Sequence, residues 1–113
     1  MESADARTHQ ICPCREICPL KSALARIGGK WKLRIICALV QDGTTRYGEI
    51  KRKIGGITNT MLASSLRELE KDGLIARVQF PEVPVRVEYT ATEDCRRLVP
   101  ILMQIIEWER TLE

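Results

Sequence analysis

Two sets of side chains in this sequence could do chemistry. The first is a run of thiols, Cys12, Cys14 and Cys18, in the segment C-P-C-R-E-I-C-P. Thiolates act as nucleophiles, metal ligands or redox sensors. Pro19 suits the first turn of a helix, which places Cys18 at its N-cap. The positive end of the helix, with Arg15 and Lys21 near in sequence, favours the thiolate there. The C-x-C-x3-C spacing matches no closed structural zinc site, and no fourth ligand is evident. A thiol oxidoreductase would place C-x-x-C beside a βαβ unit, which is missing here. The only histidine, His9, lies in the same arm, so a Cys–His pair lacks a positioned base. The chain therefore reads as no enzyme, with no catalytic residue, no cofactor and no assigned metal site. A metal-responsive Cys12/Cys14/Cys18 cluster remains the alternative for these thiols.

The second set is Thr58, Asn59, Thr60, Ser64 and Arg67. Their side chains bond base edges and phosphates, and a duplex major groove admits one helix carrying them. On a 3.6-residue helix, Thr60, Ala63, Ser64, Arg67 and Lys71 share one face, and Leu62, Leu66 and Leu69 share the other. That outer strip is short, polar and free of carboxylates, which suits close approach to a polyanion. An ordinary amphipathic helix with a solvated face would look similar, so the neighbouring elements must decide.

Those neighbours supply signals of their own. Thr58 is a good N-cap, Ile57 and Leu62 can form a hydrophobic staple, and Gly73 can close the helix with Leu74 folded back onto Leu69. Just upstream, Tyr47, Ile50 and Ile54 mark one face of a short helix, and Lys51, Arg52 and Lys53 mark the other. Gly55-Gly56 turns between the two, so the pair reads as a helix-turn-helix. Lys51, Arg52 and Lys53 are expected to hold DNA backbone. Leu74–Phe80 and Val85–Thr90 alternate as strands, joined by the stiff segment Pro81–Pro84. This hairpin makes the unit a winged helix, and Arg86 on it is a candidate phosphate or minor-groove contact. Thr44–Arg46 is too short to assign between strand and loop.

Before this unit, Pro19 to Ile27 and about Lys30 to Gln41 read as helices separated by Gly28-Gly29. The second is apolar over much of its circumference and should be central, with Cys37 a buried, inert small hydrophobe. After the wing, Thr92 can cap a last helix whose Leu98, Ile101, Ile105, Trp108 and Leu112 form a heptad-like seam, widened by Leu102 and Ile106. Pro100 should kink that helix or split off its first turn. The seam is broader than one small wing can cover, so a second copy across a two-fold axis is its natural cover.

The chain has 113 residues, 44% apolar and 29% charged, which suits a single soluble domain. Its formal net charge is +3, and bases dominate from Lys21 to Lys53, where the only acids are Asp42 and Glu49. Such asymmetry suits a polyanion-facing side. No leader-like segment or membrane-length apolar run is visible, so a cytoplasmic protein without membrane partners is expected. Its five cysteines then read as thiols rather than a disulfide framework.

Several stretches together resemble the HxlR-type branch of winged-helix transcriptional regulators, related to the MarR group. They are C-P-L at Cys18, I-G-G-K-W-K from Ile27, G-I-T-N-T-M-L from Gly56, L-R-E-L-E-K-D-G-L-I from Leu66, and P-E-V-P-V-R-V-E-Y from Pro81. The resemblance implies an α+β, mostly α fold: a winged helix-turn-helix with a two-stranded hairpin wing and terminal dimerisation helices. It places a flexible arm at residues 1–17 and one DNA-binding and dimerisation domain at residues 18–113. It implies a dimeric bacterial repressor or activator bound to a double-stranded operator. Leu20 and Leu24 of the first helix would join the last-helix seam in the dimer. Several members respond to oxidants or small electrophiles through a cysteine just before the first helix, the place of Cys18. Cys12 and Cys14 depart from the common pattern.

Overall fold

A computed structural model describes residues 19–112. The expected arm, with His9, Cys12 and Cys14, and the sensor candidate Cys18 that follows it lie outside the described residues. The elements run α1 (Pro19–Ile27), α2 (Lys32–Asp42), β1 (Thr45–Arg46), α3 (Tyr47–Ile54), α4 (Asn59–Lys71), β2 (Ile75–Phe80), β3 (Arg86–Ala91), α5 (Glu93–Arg96) and α6 (Val99–Arg110).

The core forms where α2, α3 and α4 meet the base of the sheet. Ile35, Ile36 and Leu39 of α2, Ile50 of α3, and Leu62, Leu66 and Leu69 of α4 are closed off from solvent, with Ile75, Tyr89, Ala91 and Cys95 beside them. The central position expected for α2 follows from this packing. Cys37 corrects the expectation of a buried thiol: it is exposed. At 100° per residue, Ile35, Ile36, Ala38 and Leu39 span the inward arc, and Cys37 falls opposite it. It looks onto an open, mostly apolar groove shared with Leu33, Arg34 and Gln41 of α2 and with Lys53 and Ile54 of α3. Cys95 is the buried thiol, and burial pushes its pKa up.

The sheet is antiparallel in the order β1-β3-β2, so the expected two-stranded wing gains a third strand. β1 pairs Thr45 with Tyr89 and Arg46 with Glu88, while β2 and β3 pair from Ile75↔Ala91 out to Phe80↔Arg86. A two-residue strand has too few positions to show alternation, and only the ladder to β3 defines it. Thr45 is buried, with its hydroxyl donating to the Gly43 carbonyl at 2.8 Å. Along β2, Ile75 is buried while Val78 is 47% exposed. The strand leaves the core after its first residues, so alternation towards the tip sets pairing rather than burial.

The expected last helix is two helices. Thr92 caps α5, accepting from the Cys95 amide at 3.3 Å and donating to the Gly73 carbonyl at 2.7 Å. The chain then breaks at Arg97 and Leu98, and α6 restarts with Pro100 in its first turn. Proline lacks an N–H and crowds the preceding turn of a continuous helix, but its missing donor is harmless in a first turn. Neither α1 nor α6 has a buried residue.

Candidate nucleic-acid interface

The geometry of α4 follows from its two ends. Thr58 is extended (φ −79°, ψ 160°), and its hydroxyl oxygen accepts from the Met61 amide at 3.1 Å. Such a cap typically stabilises a helix by about 1 kcal/mol. Ile57 and Leu62, the expected staple, are both buried. Gly55 and Gly56 have φ of +69° and +72°, so side chains would strain the turn leading in. At the far end Gly73 has φ +78°; its amide donates to Glu70 O at 3.0 Å and that of Leu74 to Leu69 O at 2.9 Å. These paired closures are a Schellman stop, as the sequence suggested.

With Leu62, Leu66 and Leu69 inward, Thr60, Arg67 and Lys71 are exposed and Ala63 and Ser64 half-exposed on the outer strip. Two carboxylates flank it. Glu68 turns towards α2, where Lys32 Nζ lies 2.7 Å from its carboxylate and also donates to the Ala25 carbonyl at 3.2 Å. The Lys32 hydrogen bond and charge hold the Glu68 carboxyl below its ordinary pKa. Arg26 meets Asp72 at 2.9 Å, so α1 and α2 are both tied to α4. On the other flank, Arg67 and Glu70 share a cleft of about 350 Å³ with Ala63, Arg77 and Tyr89. Arg77, opposite Tyr89 on β2, is a cation that the sequence reading passed over. A basic residue in the β2 alternation, on the side of Ile75 and Gln79, was the available signal.

The other expected contacts differ in how freely they are presented. Arg52 is exposed and Lys51 half-buried. Lys53 Nζ bends back to Asp42 at 2.8 Å and Gln41 at 3.1 Å. Arg86 lies across the Phe80 ring, 4.0 Å from its centroid, between Glu82 at 3.0 Å and Glu88 at 3.6 Å. Its charge is largely matched within the wing. Asn59 opens α4 and meets the Tyr47 hydroxyl. Arg67, by contrast, has no ion pair among the described residues. Away from this face, Leu20 and Leu24 of α1 and Ile101, Ile105 and Trp108 of α6, with Leu112 just beyond it, leave about half or more of their surface exposed. Leu98 instead packs against the core.

A glycine turn between α3 and α4, a capped second helix with a polar outer strip, and a β-hairpin wing beside it define a winged helix-turn-helix DNA-binding protein. The chain belongs to the HxlR-like helix-turn-helix family, whose model matches residues 26–112. It is 48% identical over 90 residues, 80% of each chain, to an HTH-type transcriptional regulator of Halalkalibacterium halodurans. The fold matches the redox regulator HypR in its oxidized form with a TM-score of 0.74 and 42% identity, covering 83% of this chain and 96% of that one. It also matches the reduced form of the transcriptional regulator YodB from Bacillus subtilis, with a TM-score of 0.72 and 38% identity over 81% and 90% of the two chains. The protein is an HTH-type transcriptional regulator that binds DNA, and not an enzyme.

Proposed function

We propose that the chain works as a homodimer that lays α4 of each copy into the major groove of a pseudo-palindromic operator, and that a thiol state governs its binding. The observation that carries the reading is the outer strip of α4: polar, capped at both ends, and bearing Arg67 without an ion pair among the described residues. Thr58, Asn59, Thr60, Ser64 and Arg67 face bases or nearby phosphates in this arrangement. Lys51, Arg52 and Lys53 on α3 and Arg86 on the wing lie towards the backbone. Lys53 and Arg86 must first trade their internal carboxylates for phosphate. The uncovered apolar sides of α1 and α6 supply the two-fold interface. Two reading helices then meet half-sites about one helical turn, or a multiple of it, apart.

Cys18 is the proposed sensor thiol. It immediately precedes Pro19, the first residue of α1, and so adjoins a helix assigned to the interface. An oxidant removes two electrons and two protons from Cys18 and a second thiol as a disulfide forms, and dithiothreitol returns them. An electrophile instead adds to the thiolate. Either change at the root of α1 shifts one reading head against the other, and fixed half-site spacing turns a small rotation into lost affinity. The similarity to HypR, described as a redox regulator, supports this reading. No helix among the described residues is long and apolar enough to cross a membrane.

The experiment is selection of bound sequences from random DNA with reduced and oxidised protein, followed by gel shifts of wild type and Cys18→Ser. A two-fold related motif, lost on oxidation and restored by dithiothreitol in wild type only, is the expected result. A single unpaired half-site bound by monomer would overturn the dimeric reading. A Cys18→Ser protein that responds fully would overturn the sensor assignment.

A further inference from the structure

We infer that Tyr47 is a positioning residue for base recognition: its hydroxyl orients Asn59 so that the Asn59 amide meets the operator as a hydrogen-bond donor. This rests on the placement of α4 in the major groove proposed above. Tyr47 is the first residue of α3 and Asn59 the first of α4. The Tyr47 ring packs half-buried against the core, which fixes where its hydroxyl points. That hydroxyl lies 3.2 Å from the Asn59 carbonyl oxygen and 3.4 Å from Asn59 Oδ1, and it donates to both in a shared bond. It therefore spans the Gly55–Thr58 turn and ties the start of the reading helix to the helix before it.

The consequence is chemical. A free asparagine reads adenine with two hands, accepting from N6 at Oδ1 and donating to N7 from Nδ2. Here Oδ1 faces the Tyr47 hydroxyl, and Nδ2 is the hand left for the DNA. An amide held this way recognises an acceptor, such as guanine O6 or N7 or thymine O4 in the major groove. Asn59 also has a two-bond side chain at the exposed start of the helix, where an untethered amide would sample several rotamers. The Tyr47 hydroxyl removes that freedom before DNA arrives, so the ordering cost is already met in the free protein.

The test compares wild type, Tyr47→Phe, Asn59→Ala, Asn59→Asp and the Tyr47→Phe/Asn59→Ala double variant. Each full-length protein is put through selection from random DNA and then titrated on the wild-type operator by fluorescence anisotropy. Loss of one neutral hydrogen bond corresponds to about two- to tenfold in affinity. Tyr47→Phe is expected to weaken operator binding by that factor and to relax the preference at one symmetric pair of positions, leaving the salt slope unchanged. Asn59→Ala should relax the same positions, and adding Tyr47→Phe to it should change nothing more there. Asn59→Asp keeps an acceptor for the phenol but has no donor, so it should lose the preference as fully as Asn59→Ala.

A Tyr47→Phe protein that folds, by circular dichroism, and keeps the wild-type preference at those positions overturns the inference. So does an Asn59→Asp protein that retains the preference, whatever the fate of Tyr47→Phe. A purely structural role for Tyr47 predicts uniform weakening on every sequence, which also overturns it. If Asn59→Ala and Arg67→Ala both leave sequence preference untouched, the fault lies instead with the placement of α4 in the groove.

Discussion

Replacing Ile105 by alanine isolates the proposed dimer interface from the DNA-reading face. Ile105 sits in the middle of α6 and is 51% exposed in the single chain. Fully burying an isoleucine side chain contributes roughly 1.5–3 kcal/mol, so covering the exposed half contributes about 1 kcal/mol per copy. A two-fold interface contains the residue twice, and Ile105→Ala should therefore weaken the dimer by about 2 kcal/mol. At about 1.4 kcal/mol per tenfold, that is roughly a thirtyfold rise in the dimer Kd. The fold of each chain should be nearly unaffected, because the side chain is not part of the core. Sedimentation equilibrium over a wide concentration range gives the dimer constant, and circular dichroism checks the fold. Binding to a two-half-site operator should fall with the dimer constant, while binding to an isolated half-site should hold. An Ile105→Ala protein with wild-type dimer affinity would refute the assignment of this face of α6, and the area argument with it.

Arg67→Ala should weaken operator binding by about 1–3 kcal/mol, against little change for Lys71→Ala, if Arg67 reads a guanine; titration on operator and unrelated DNA separates this from a phosphate contact, which would lower all affinities and reduce the salt slope by about one. Thr58→Ala removes the oxygen that accepts from the Met61 amide and should cost about 1 kcal/mol. Its melting temperature should drop by about 4–8 °C, read by thermal circular dichroism. The Glu68–Lys32 pair sets a pH dependence. Because the folded-state pKa of Glu68 is lowered, its stabilisation is present above the ordinary carboxylate pKa and lost as pH falls through the lowered value. Melts of wild type and Glu68→Gln should therefore differ at neutral pH and converge in acid; a gap that widens in acid would contradict the sign. Cys95→Ser should leave any oxidant response of DNA binding unchanged, because the Cys95 thiol is wholly buried; mass mapping of modified thiols checks this directly.

Much of this protein is local physics, and so was legible in the residues. The α4 cap at Thr58, its stop at Gly73, and its division into leucine and polar faces depend on neighbours within a few positions. So do the glycine turn before it and the apolar character of α2. Long-range pairing decided the rest. β1 exists only because Thr45 and Arg46 meet Tyr89 and Glu88, more than forty positions away. Cys37 lies opposite the buried arc of α2, an orientation that a helix apolar nearly all round leaves open until α3 and α4 are packed against it. The carboxylate beside Lys53 and the phenol beside Asn59 come from other elements, so no single stretch displays them. Local hydrogen bonding and periodicity determine the helices, the glycine turns and the two strands of the hairpin. Which side chains are free to meet DNA depends on distances between segments, and only the assembled fold determines those.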